Sequence, residues 1–103
     1  MKLIKKLSER IEDEIHDAKH YAKWAIEMKE EHRNLADTLY SLSLDESKHA
    51  DALHVEVVEL INDYKKEHGE PPEAMQAVYD YLHERQIEKA EEAKRYQTMY
   101  REA

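Results

Sequence analysis

There is no cysteine anywhere in the 103 residues, and glycine occurs once and proline twice. Without cysteine the chain has neither a disulfide framework nor a thiolate to hold metal or exchange electrons. A single glycine is too few for the phosphate cradle of a Rossmann or P-loop turn. Phenylalanine is absent, β-branched residues are scarce, and apolar runs last only a few residues. Those shortages argue against a strand-rich fold, a membrane span and a signal-peptide core. The expected setting is cytoplasmic. Positive charge is also in deficit, with 16 Lys and Arg against 24 Asp and Glu and a net charge of −8. That balance argues against nucleic acid and anionic membranes as partners, and it favours cations.

Leu, Ile and Val together make up fewer than one residue in five. At that level a highly charged chain begins to look disordered by composition. Placement decides otherwise, because the few apolar residues recur at helical spacing. The length suits one domain, 1–103. So thin a core leaves one chain short of buried surface, and a second chain is expected to complete it.

Two interruptions divide the pattern. Glu30-Glu31-His32-Arg33-Asn34 breaks it once, and Asn34 can cap a new helix with Asp37 three residues on. His68-Gly69-Glu70-Pro71-Pro72 breaks it again, with Gly69 suited to a helix C-terminus and Pro72 to the first position of the next helix. The spacing predicts an all-α chain with helices near 3–31, 34–67 and 72–102, each roughly 45 Å long at helical rise. Short joints make consecutive helices antiparallel neighbours.

The inward stripe predicted for the first helix is Ile4, Leu7, Ile11, Glu14, Ala18, Tyr21, Ala25 and Met28. For the second it is Leu35, Leu39, Leu42, Glu46, His49, Leu53, Glu56 and Leu60. The third offers a weaker seam from Met75 through Val78, Tyr79, Leu82, Gln86, Ala90, Ala93 and Tyr96 to Tyr100. The first two seams are broken near their middles by Glu14, Glu46 and His49. An ionised carboxylate in such a seam costs several kcal/mol unless it is paired or binds a metal. If the hairpin turns near residue 32, Glu14 and His49 lie equally far from the turn, with Glu46 one helical turn nearer. Two carboxylates and an imidazole then converge between two helices, a donor set that suits iron, manganese or zinc. A Glu-x-x-His pair alone is weak, because Glu is so abundant here that one is expected by chance. Its place on the seam, level with Glu14 and two turns from Tyr21, is what raises it.

The order Glu14-x6-Tyr21 followed by Glu46-x-x-His49 resembles the first two helices of ferritin-like di-iron proteins, the superfamily of rubrerythrins, bacterioferritins and encapsulated ferritins. The stretch Leu44-Asp45-Glu46-Ser47-Lys48-His49-Ala50 is similar to the Glu-x-x-His-Ala segment of rubrerythrin-type helices. The resemblance covers roughly residues 8–64. It implies Glu14, Glu46 and His49 as metal ligands, Glu46 as the bridge between two metals, and Tyr21 as a hydrogen-bond donor behind them. It also implies a di-iron centre that oxidises Fe(II) or disposes of peroxide. A complete ferritin-like bundle has four long helices and a second Glu-x-x-His, and this chain has neither. Two chains paired about a two-fold axis, as in encapsulated ferritins, would supply the missing half and hold two Fe per dimer. In the other repair the third helix supplies Glu92, since the segment 92–100 faintly resembles the third helix of rubrerythrins. No shell-addressing tail follows Ala103, and no rubredoxin-like electron-donor module is present, so neither partner is implied.

Bland readings stand beside these. Glu14, Glu46 and His49 can be a metal-free polar cluster that fixes helix register, in an oligomerisation or adaptor module. Tyr21 and Trp24 can be plain core aromatics rather than supports of a redox site. Glu56 is either a further ligand or tilted outward. His16 and His20 can chelate a surface metal, but among Asp13 and Asp17 they read as a solvated face. Glu84, Glu88 and Glu92 form either a cation path or an exposed ladder offset by Arg85, Lys89 and Arg95. A zinc hydrolase is disfavoured, because no separate base and no cleft-forming loops are evident.

Overall fold

A computed structural model describes residues 2–103 of the chain. Three helices account for nearly all of them: α1 (Lys2–Met28), α2 (Arg33–His68) and α3 (Glu73–Glu102). The described residues contain no strand. The molecule is a rod of 56 × 18 × 17 Å, and α2 alone, at about 1.5 Å per residue, spans nearly its whole length. α1 packs along both of the other helices, whereas α2 and α3 touch only lightly. Among the described residues no helix is long and apolar enough to cross a membrane.

The second joint forms as the sequence predicts. Gly69 takes φ 79° and donates its N–H to Lys65 O at 2.9 Å, closing α2. That left-handed backbone is what a residue without Cβ reaches at no steric cost. Pro72 stands immediately before α3 rather than inside its first turn, and its carbonyl accepts the Gln76 N–H at 3.0 Å.

The first joint falls earlier than predicted, with α1 ending at Met28 and not near residue 31. Its last turn tightens, Lys29 N–H donating to Ile26 O at 3.4 Å. The Lys29 ammonium then reaches across to the end of α3, donating to Ala103 O at 2.9 Å and to Tyr100 O. A cation on the last carbonyls of a helix is favourable to its dipole. Asn34 is no cap either. It lies in the first turn of α2, its carbonyl accepting from Thr38 Oγ1 at 3.1 Å, while His32 precedes the helix without a side-chain cap.

Burial corrects the second seam by one residue. Of the predicted stripe Leu39 is buried, but Leu35, Leu42, His49 and Glu56 are exposed. The buried positions are Ala36, Ser43, Ala50 and Val57, each one residue later and spaced by seven. The cause is on α1, which presents Ala18, Ala22 and Ala25 without any solvent exposure. Small residues on both helices let the backbones approach, and Ser43 Oγ donates directly across the gap to Ala18 O at 2.6 Å. In α3 only part of the predicted seam is buried, as Gln86, Ala93 and Tyr100, with Gln97 added and Val78 left exposed.

The apolar core is split between the ends of the rod. Ile4, Ile11, Ile15, Ala50 and Val57 cluster at one end, and Ala25, Ala36, Leu39 and Tyr100 at the other. The waist between them is polar. There Gln97 of α3 donates to Ser43 Oγ at 2.9 Å and Ser47 Oγ at 3.0 Å, so one serine ties all three helices. Ser43→Ala removes the donor to Ala18 O and one acceptor of Gln97. A loss of about 1–2 kcal/mol is expected, read from urea denaturation followed by circular dichroism.

Candidate metal centre

Glu14 comes from α1 and the pair Glu46, His49 from α2, where an i, i+3 spacing sets both groups on one side of the helix. One ligand atom from each lies within 4.8 Å of the other two. His49 Nδ1 stands 3.5 Å from Glu14 Oε2 and 3.7 Å from Glu46 Oε2. Donors gripping one ion at about 2.1 Å sit roughly 3.0–3.4 Å apart, for octahedral and tetrahedral angles respectively. The two His49 spacings are wider than the tetrahedral value by up to a few tenths of an ångström, and the two carboxylates stand within 4.8 Å of each other. The donor set, two carboxylates and one imidazole, fits iron, manganese or zinc.

The same spacings weigh against a self-satisfied polar cluster. A register device is held by short, well-made hydrogen bonds. Ser43, Ser47 and Gln97 form such a device at the waist, at 2.9–3.0 Å. The Glu14, Glu46 and His49 group is looser, yet the Glu14 side chain retains 8% exposure and Glu46 19%. Two nearly buried carboxylates facing one imidazole leave negative charge for a cation to balance. Glu14 has one further partner, Arg10, whose Nη2 lies 3.2 Å from Oε1.

The cluster lies on the flank of the hairpin turned away from α3. That helix packs on the other flank of α1, through Arg85 Nε to Glu12 Oε1 at 3.3 Å, Lys19 Nζ to Glu92 Oε1 at 2.6 Å, and Gln86 Nε2 to Ser8 O at 3.4 Å. His49, 58% exposed, shares an edge of α2 with Leu35, Leu42 and Glu56 at intervals of seven residues. Leu35 and Leu42 are exposed, as are Leu3 and Trp24 on α1. Leu42, one turn before Glu46, leaves exposed apolar surface next to the polar group, whose most exposed member is His49.

The other candidate residues fall outside the cluster. Glu92 is held by Lys19, whose hydrogen bond lowers its carboxyl below the ordinary value. Glu56 is exposed two turns beyond His49. Tyr21 is half-buried against the Tyr100 and Leu39 cluster, and among the described residues no hydrogen bond joins it to the three ligand candidates. Trp24 is largely exposed rather than core. His16 and His20 stand side by side, ring centroids 4.2 Å apart, on the outer surface of α1. Glu84 and Glu88 are exposed. Two participants escaped the sequence reading: Arg10, legible as an i, i+4 partner of Glu14, and Gln97, whose role needed the position of α3. No family model, curated protein or solved structure matches the chain.

Lys19 favours the ionised form of Glu92, so the pair adds stability at neutral pH. That increment is lost as pH falls through the depressed carboxyl value. Glu92→Gln should therefore melt below wild type at pH 7, and the gap should close on acidification. Thermal melts across a pH series check this.

Proposed function

We propose that this chain is a ferritin-like di-iron carboxylate protein that binds and oxidises Fe(II) at a site shared between two copies. The observation that carries the reading is the convergence of Glu14, Glu46 and His49, with Leu42 exposed one helical turn away. Each chain offers two carboxylates and one imidazole. Two chains facing each other about a two-fold axis would offer four carboxylates and two imidazoles, enough negative charge to neutralise two divalent ions. The pairing would also bury Leu3, Leu35, Leu42 and Trp24, the surface that a thin three-helix core leaves outside.

In this reading Glu14, Glu46 and His49 of each chain would hold the ions, the two carboxylates supplying charge and His49 a neutral nitrogen. Iron, when bound, gives up one electron per Fe(II) to oxygen or peroxide. The chain itself assembles the ions, balances their charge and, through the paired faces, keeps bulk water away. The acidic surface raises the local concentration of cations. Manganese or zinc would satisfy the same donors without the redox step.

Anaerobic loading with Fe(II), followed by removal of excess and elemental analysis, tests the reading. Wild type should retain about one iron per chain, the stoichiometry of a pair of ions shared by two copies. Glu46→Ala should retain almost none while keeping its helical circular dichroism. Glu92→Gln should load like wild type. A wild type that takes up no iron yet forms a defined oligomer would replace this reading with a helical oligomerisation module, in which the three residues only set register.

A further inference from the structure

Glu14 is the most buried member of the candidate metal centre, and its two oxygens have different partners. Oε2 faces His49 Nδ1 at 3.5 Å, and Oε1 faces Arg10 Nη2 at 3.2 Å. The guanidinium is the one permanently charged cation within ion-pair distance of that carboxylate among the described residues. It reaches Glu14 from the preceding turn of α1, with 63% of the Arg10 side chain exposed. An exposed i, i+4 arm of this kind is weakly held and can swing into water at little cost.

We infer that Arg10 is a built-in competitor for the metal, neutralising Glu14 until an ion arrives and yielding the carboxylate to it. The inference rests on the metal reading above. A divalent ion and a guanidinium on one carboxylate repel each other across a partly desolvated gap. An arginine cannot relieve that repulsion by losing its proton. The repulsion weakens its hold on Oε1, and the exposed arm is free to swing away. Arg10 therefore sets a threshold on loading: scarce metal leaves Glu14 paired to arginine, and abundant metal expels the arm toward solvent. The device also removes the need for an uncompensated buried carboxylate in the metal-free chain.

Co(II) titration calorimetry on wild type, Arg10→Gln and Arg10→Lys tests the inference, together with thermal melts with and without saturating Co(II). Arg10→Gln should bind Co(II) more tightly than wild type, by roughly twofold to fivefold. Arg10→Lys keeps the charge and should stay near wild type. The metal-free Arg10→Gln chain should melt below wild type, and saturating Co(II) should close the gap. Equal or weaker binding by Arg10→Gln, with wild type binding normally, overturns the competitor role and leaves the metal centre standing. Binding by Arg10→Gln alone supports the inference in its strongest form. No binding by wild type or by Arg10→Gln overturns the metal reading and the inference together.

Discussion

The closeness of α1 and α2 governs the rest of this structure. Ala18, Ala22 and Ala25 on one helix meet Ala36, Ser43 and Ala50 on the other, and Ser43 bonds straight to the backbone opposite. Alanine and serine bury little apolar area, so the seam gains its stability from close packing and a satisfied hydroxyl rather than from large side chains. With the small residues in the seam, the leucines at 35 and 42 are turned outward. The same rotation carries His49 and the edge of Glu46 to the rim of the hairpin.

That placement gives the polar residues their character. At the waist, Ser43, Ser47 and Gln97 satisfy one another and bind α3 to the hairpin. One flank away, Glu14, Glu46 and His49 approach without closing into comparable hydrogen bonds. The first group is closed by its own hydrogen bonds, and the second is not. α3 cannot finish it, because its ion pairs with Glu12 and Lys19 hold it to the far flank of α1. The proposed second copy follows from this asymmetry, since the uncovered side exposes Leu42 beside a group short of ligands.

Much of this was legible in the residues. Helical spacing gave three helices and the glycine–proline joint, and equal distance from the hairpin turn brought Glu14 level with Glu46 and His49. What escaped was governed by shape. A periodic template assigns leucine to a seam by hydrophobicity, whereas α1 and α2 chose alanine and serine by size, which shifted α2 by one residue. Asn34 has the side chain of a cap, but α2 begins one residue earlier, at Arg33, and takes Asn34 into its first turn. The position of Glu92 depended on which flank α3 would choose, and nothing in its own stripe fixed that. Arg10 was readable from its spacing to Glu14, although the eye passes over one more arginine in so charged a chain.

The central claim is that the metal centre is half-built in one chain and completed by another. Sedimentation measured over a range of chain concentrations, with and without Mn(II), tests it most directly. The account predicts that Mn(II) drives the chain toward an even multiple of its mass, and that Leu35→Asp, exposed on α2 three turns before Glu46, abolishes both the shift and the metal uptake. Tight Mn(II) binding by a chain that remains a monomer at every concentration would contradict it.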